Sequence, residues 1–168
     1  MIFAGIDTGT FHIGYAALSD HEIITCNQVD FTRGIPKKLS AAESLLYRME
    51  KIGIWARDFA ARTRALDDEV LVGIEMPWSG RNPQTAIKLA KVCGIIYSAV
   101  WDEGLQVVEV APAQAKVALT NDRMAGKITM FEWALRLAPG CPGEHAADAI
   151  GVALATRAIW KKLEMTKM

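Results

Sequence analysis

The chain has 168 residues, and its 19 acidic and 19 basic side chains leave a formal net charge of zero at pH 7, which by itself argues neither for nor against a nucleic-acid partner. About half of the residues are apolar, under a quarter are charged, and no apolar run reaches the roughly 18 residues of a membrane span, so the composition favours a soluble globular protein and excludes a transmembrane helix. Three widely spaced cysteines fit neither a disulfide framework nor a zinc pattern, and with an N-terminus that lacks the features of a signal peptide they predict a cytoplasmic protein.

The first part of the chain predicts three strands followed by a long helix. The stretches IFAGID, HIGYAALS and HEIITCNQVDF have the composition of strands, and a tight turn joins the first two. Ser40 then begins a helix, because Glu43 three residues later completes a capping box, and apolar residues recur at helical spacing to about Ala65. The buried stripe of this helix is expected at Leu45, Met49, Ile52, Trp55 and Phe59.

The remainder of the chain alternates strands with helices and then continues in three helices. EVLVGIE is apolar and β-branched enough to be a central strand, and it ends at Glu75, shortly before Pro77. Asn82 and Pro83 are suited to begin the second long helix. The later elements are the strand LQVVEVA and the helices PAQAKVAL, KITMFEWALRLA and EHAADAIGVALATRAIWKKLE.

This order of elements predicts an α/β fold. Three consecutive strands form a meander, and the strand–helix units that follow add parallel strands to it. The expected architecture is a five-stranded mixed sheet with helices on both faces. At this length we expect a single domain over residues 1–168.

Charge is distributed unevenly along the chain. Residues 1–32 carry four acidic and no basic side chains, whereas residues 33–64 carry eight basic and three acidic ones. The acids gather around Asp7, Glu75 and Asp148, and the bases lie between these clusters. A solvated surface explains part of this pattern. An acidic centre within basic surroundings also suits a metal-dependent enzyme that acts on a phosphate backbone.

Three acidic residues are candidates for one shared site. Asp7 ends the first strand, Glu75 ends the fourth, and Asp148 lies in the first turn of the last helix, three residues after His145. Each alone has a structural explanation, as a turn cap, a strand end or a partner of the helix dipole. Together, the ends of adjacent strands and the start of a helix would bring these ligands to one place. Carboxylate-rich sites suit Mg²⁺ or Mn²⁺, and two such ions can promote phosphodiester hydrolysis.

Four blocks of sequence, in order over nearly the whole chain, resemble the RuvC family of Holliday-junction resolvases within the ribonuclease H-like superfamily. They are GIDTGTFHIGYA, then GIEMPWSGRNPQTAIKLAKVCGII, then APAQAKVALT with MAGKITM, and finally EHAADAIGVALA. The resemblance implies a ribonuclease H-like fold. It also implies that Asp7 is the metal-binding aspartate and Glu75 the catalytic glutamate, with Asp148 completing the carboxylate set.

His145 departs from the family pattern. The last family motif has two carboxylates three residues apart, and His145 stands in place of the first. Some family members carry histidine there, so the resemblance implies a catalytic and metal-binding role for His145, with the neighbouring Glu144 as the alternative ligand. An imidazole titrates near neutral pH, and activity is therefore expected to fall below about pH 6.5.

The resemblance also implies how DNA would be held. Trp78 would stack on an unpaired base near the crossover, although a partly buried core tryptophan is the structural alternative. Arg81 and Asn82 would reach phosphates at the mouth of the site, and Lys116 and Lys127 would do so as point charges.

The resemblance further implies a homodimeric, Mg²⁺-dependent endonuclease that resolves four-way DNA junctions in recombination and repair. Mn²⁺ would substitute, two ions would act at each site, and cutting would leave 5′-phosphate and 3′-hydroxyl ends. A partner motor for branch migration is compatible with this role. The dimer would form through the helix at 83–103, whose faces include Ile87, Ala90, Lys91, Gly94 and Ser98.

Three other functions remain to be weighed. A related nuclease for flaps and forks would share every catalytic residue. A non-catalytic junction-binding module would have no need of Asp7, Glu75 and Asp148 together. DTGT also resembles the first phosphate loop of the actin, chaperone and sugar-kinase group, but 168 residues leave room for only one such lobe, and no second glycine-rich phosphate loop is visible.

Overall fold

The computed structural model describes residues 1–77 and 82–167, and its elements follow the predicted order. Within those residues, no helix has the length and apolar character to cross a membrane. The third strand is shorter than predicted, and the last helix extends two residues further. The elements are β1 Ile2–Asp7, β2 His12–Leu18, β3 Ile23–Asp30, α1 Ala41–Arg64, β4 Val70–Glu75, α2 Pro83–Asp102, β5 Gln106–Val110, α3 Pro112–Thr120, α4 Lys127–Leu137 and α5 Glu144–Thr166.

The predicted five-stranded mixed sheet is confirmed, with the order β3-β2-β1-β4-β5. The meander β1–β2–β3 is antiparallel, whereas β4 lies parallel to both β1 and β5. Because Ile6 pairs with Ile74 across the parallel β1–β4 ladder, Asp7 and Glu75 end neighbouring strands at the same edge of the sheet.

Helices cover both faces of the sheet, as predicted. One core cluster includes Ile6 and Val72 from the strands together with Ile52 of α1 and Ile96 of α2. The opposite cluster joins strand side chains to residues of α4 and α5. The helix caps predicted from local sequence are also present, including the Ser40–Glu43 capping box and Asn82 at the start of α2.

The buried stripe of α1 differs in part from the predicted one. Ile52 and Phe59 are buried, but Leu45, Met49 and Trp55 are only partly covered. The other buried positions are Arg48, Gly53, Ala56, Ala60 and Thr63. The reason is that α2 packs beside α1, where Gly53 faces the side chain of Ile95, so the small residues of α1 are covered as well.

Helix α5 lies unusually close to the sheet because glycines face it. A side chain at Gly5 of β1 would collide with the backbone of Ala149 and Ala153. A side chain at Gly14 of β2 would collide with the carbonyl of His145. The first turn of α5 is therefore seated directly over the strands that end at the carboxylates.

We expect Gly5→Ala to lower the free energy of unfolding by about 2 kcal/mol, because the added methyl must push the α5 backbone away from β1. The matched control is Gly140→Ala, where an added methyl meets no other heavy atom within 4 Å. Urea unfolding of the two variants measures the difference. Equal stability of the two variants would show that α5 can move outward at little cost.

Candidate metal and DNA-binding site

The first strand and the last helix meet at a direct side-chain contact. Asp7 is only 7% exposed at the end of β1, and its Oδ2 lies 2.8 Å from Nδ1 of His145. These residues are 138 positions apart in sequence. The hydrogen bond to Asp7 raises the pKa of His145 above its ordinary value, which stabilises the charged imidazolium beside the carboxylate. The structure thus brings these two predicted site residues together.

Glu75 and Asp148 complete the acidic group on the same side of the sheet. Burial, followed by the charge of Asp7, raises the pKa of Asp148 to about 6. Burial also raises the pKa of Glu75, and the nearby carboxylates of Asp7 and Asp148 raise it further. The carboxylate of Asp7 is therefore close enough to Glu75 and Asp148 to oppose the ionisation of both.

A small cavity opens beside these acids. It has a volume of about 150 Å³, and Glu75 and Asp148 line it together with Lys116 and Lys127. The positive charge of Lys116 partly opposes the rise in the pKa of Glu75. The cavity therefore joins the candidate metal ligands to two of the predicted phosphate-binding lysines.

The donor set fits a divalent cation, although its side chains are not already arranged as a metal site. Within residues 1–77 and 82–167, no three histidine, cysteine or acidic residues form a preorganised metal-binding group. The partly buried carboxyls of Glu75 and Asp148 have raised pKa values in the protein alone, and a bound cation would offset the burial and the negative charge that raise them. The carboxylate oxygens of the group suit Mg²⁺ or Mn²⁺.

Glu144, the alternative ligand, is directed towards a lysine. Its Oε2 accepts a hydrogen bond from Nζ of Lys127 at 3.0 Å, and both side chains are more than half exposed. His145, in contrast, contacts Asp7 directly. The geometry favours His145 over Glu144 as the fourth member of the site.

The predicted DNA-contacting residues have different surroundings. The Oδ1 of Asn82 caps α2 by accepting hydrogen bonds from the backbone N–H groups of Gln84 and Thr85, while the residue itself is exposed. Lys116 and Lys127 border the cavity, and Lys127 is paired with Glu144. The predictions for Trp78 and Arg81 concern positions outside the described residues.

Sequence reasoning missed Arg48, which supports the turn that follows Asp7. Its Nε donates a hydrogen bond to the carbonyl of Thr10 at 2.9 Å, and its Nη1 donates to Oγ of Ser44 at 2.8 Å. The guanidinium also lies 4.2 Å from the centroid of the Phe11 ring. A basic residue inside the helical stripe of α1 is the signal that could have indicated this buried role.

Sequence reasoning also missed His12 at the start of β2. Its ring stacks on that of His145, with 5.3 Å between ring centroids and 15° between ring planes. The strand pattern places His12 and Gly14 on one face, but only the seating of α5 reveals what that face contacts.

Comparisons with known proteins agree with this fold. A family model described as crossover junction endodeoxyribonuclease RuvC matches residues 3–156. A crossover junction endodeoxyribonuclease RuvC from Anaeromyxobacter dehalogenans (strain 2CP-1 / ATCC BAA-258) is 32% identical over 155 residues, which cover 92% of this chain and 79% of the relative. The Prosthecochloris aestuarii protein of the same name is 29% identical over 164 residues, covering 92% and 80%.

Two solved structures show the same fold. T. thermophilus RuvC, in complex with Holliday junction substrate, has a TM-score of 0.73 at 22% identity, over 98% of this chain and 96% of that one. The yeast mitochondrial Holliday junction resolvase Ydc2 has a TM-score of 0.59 at 11% identity, over 96% and 80%. The predicted ribonuclease H-like architecture is confirmed.

The raised pKa of Asp148 predicts that this carboxyl contributes less to the stability of the metal-free protein as pH rises. A carboxyl with a folded-state pKa of about 6, against 3.8 when unfolded, contributes stability that is present below pH 4 and lost by about pH 6. Asp148→Asn has no such titration. In chelator, its free energy of unfolding relative to the parent should rise by on the order of 3 kcal/mol between pH 4 and pH 7.

Urea unfolding across this pH range, with exposed Asp58→Asn as the control, tests the electrostatic origin of the effect. Asp58 pairs with Arg62 on the surface of α1, so the control removes a carboxylate that is remote from the acidic group. A rise in the control as large as that of Asp148→Asn would show that the effect does not come from the site. If the parent protein instead gains stability relative to Asp148→Asn as pH rises, the acids are not crowded as described.

Proposed function

The chain belongs to the RuvC family of crossover junction endodeoxyribonucleases, and we propose that it resolves four-way DNA junctions by metal-dependent hydrolysis of paired phosphodiesters. The observation that carries this proposal is the meeting of Asp7, Glu75, His145 and Asp148 at one edge of the sheet, beside a lysine-lined cavity. The solved T. thermophilus relative in complex with Holliday junction substrate supports the choice of DNA.

We propose that Asp7, Glu75, Asp148 and His145 hold Mg²⁺, for which Mn²⁺ can substitute, with two ions in each site. When bound, such ions would supply Lewis-acid activation of water and stabilise charge on the leaving oxygen. Both roles require ionised carboxylates. Because the pKa values of Glu75 and Asp148 are raised in the protein alone, loading of the site should release protons.

The protein's own residues would orient the reacting strand. Lys116 and Lys127 border the cavity and would contact phosphates of the bound strand as point charges. Asp7 would keep the imidazole of His145 facing the acidic group, from which it could ligate an ion or accept a proton. Trp78, Arg81 and Asn82 remain proposed DNA contacts at the mouth of the site.

We further propose that the protein acts as a homodimer of single nuclease domains, residues 1–168, joined through α2. Ile87 is 50% exposed and Trp101 is 72% exposed on this helix. Gly94 and Ser98 lie between them and are also exposed, so an apolar and small-residue face follows the helix axis. Two identical sites related by a two-fold axis would match the pseudo-symmetry of a four-way junction. A branch-migration motor would be an additional partner.

Cleavage of a synthetic four-way junction should exceed cleavage of linear duplex, flap and replication-fork substrates in Mg²⁺ or Mn²⁺. The expected cuts are paired and lie on opposing strands near the crossover. Equal cutting of all four substrates would indicate a nuclease for branched or general DNA. Junction binding without any cutting would indicate a binding module.

Asp7→Asn should bind a junction with near-parental affinity but cut it at least about 100-fold more slowly, because the change removes charge from the ion-binding centre. Single-turnover cleavage and electrophoretic mobility shift measure the two properties separately. Asp58→Asn, an exposed change on α1, serves as the matched control. If Asp7→Asn cuts at the parental rate, the assignment of Asp7 to the metal site is wrong.

A further inference from the structure

His12 is not among the proposed metal ligands, but its ring stacks on that of His145, which is one of them. The two ring centroids are 5.3 Å apart and their planes differ by 15°. This is the separation at which offset-stacked aromatic rings attract each other. The contact joins the first residue of β2 to the first turn of α5.

The same strand seats the backbone and the ring of His145. Gly14, two residues after His12 and on the same face of β2, lies against the carbonyl of His145. Gly14 also pairs with Asp7 across the β1–β2 ladder. His145 is therefore located by Gly14 through its backbone, by His12 through one ring face, and by Asp7 through Nδ1.

His12 is itself supported from β3. It pairs with Asp30 in the β2–β3 ladder, and its Nε2 lies 3.6 Å from Oδ1 of Asp30. That carboxylate is fixed in turn, because it accepts hydrogen bonds from the backbone N–H of Thr32 at 2.7 Å and from the Thr32 hydroxyl at 2.6 Å. The row of contacts runs from Asp30 through His12 and His145 to Asp7, and its four residues belong to four elements, β3, β2, α5 and β1.

We propose that His12 is a positioning residue for the active site, which fixes the ring plane of His145 so that Nδ1 remains directed at Asp7. The inference rests on the proposed role of His145 in the nuclease site. The His145 side chain is 33% exposed, and a histidine ring rotates over a broad range about χ2 when nothing packs against it. His12 would restrict this rotation through the packing of its ring against that of His145.

Two substitutions test the contribution of the stacking ring of His12 separately from that of its polar atoms. His12→Ala removes the ring, whereas His12→Phe keeps a stacking surface and loses the nitrogen that faces Asp30. For residues that orient metal ligands, loss of support typically weakens metal affinity or activity by 10- to 100-fold. We expect His12→Ala to lower kcat on a four-way junction and Mn²⁺ affinity by about 10-fold each, with an unchanged KM. His12→Phe should retain most of both.

The control is His21→Ala, which changes the remaining histidine of the chain in an exposed turn. Mn²⁺ affinity is measured by isothermal titration calorimetry, and junction cleavage gives kcat and KM. Unchanged Mn²⁺ affinity and kcat in His12→Ala would overturn the proposal. Equal losses in His12→Phe and His12→Ala would also overturn it, because the stack would then not be the acting contact.

NMR of the metal-free protein separates this inference from the proposed function. With three histidines in the chain, the ring signals of His145 can be assigned by substitution. His12→Ala should shift those signals strongly and His21→Ala should not, whether or not the protein cuts DNA. Unshifted His145 signals in His12→Ala would overturn the stack itself, whereas absent junction cleavage by the parent protein would contradict only the proposed function.

Discussion

The close seating of α5 against the sheet is the constraint on which the candidate site depends. Gly5 and Gly14 present bare backbone to the helix, and the helix fills that space with its own backbone. Strand ends alone would bring Asp7 and Glu75 together, because β1 and β4 are parallel neighbours. Only the seated helix adds an imidazole and a third carboxylate. The glycines therefore contribute no functional group to the site, but they allow α5 to pack closely enough to bring its side chains there.

That packing brings negative charges close together in a partly buried region, which destabilises the folded protein. Interactions elsewhere in the structure offset this destabilisation. The raised pKa values of Glu75 and Asp148 measure the repulsion. Hydrophobic clusters on both faces of the sheet and the Ser40–Glu43 capping box stabilise the surrounding scaffold. Local destabilisation of this kind is common at binding sites, where the bound ligand offsets it. A bound cation would therefore contribute to the stability of the folded protein.

The order of elements, the helix caps and the two strand-end acids could be predicted from sequence because each depends on local patterns. Ser40 with Glu43 is a signal that spans four residues, and Asp7 closes an apolar run. The His12 stack and the burial of Arg48 could not be predicted, since each depends on which helix covers which face. The preference for His145 over Glu144 came from the family resemblance and not from a local pattern, because the two residues are adjacent in sequence. In the structure Glu144 pairs with Lys127, whereas His145 contacts Asp7.

The contact between Asp7 and His145 also determines when during synthesis the site can exist. The first strand leaves the ribosome before its partner, which lies 138 residues further along the chain. A nascent chain that lacks α5 cannot hold a complete site, because His145 and Asp148 belong to that helix. Cutting competence would arise as a late event, after the sheet and its opposite face have had time to form. For an enzyme that breaks DNA, this topology keeps unfinished copies inactive.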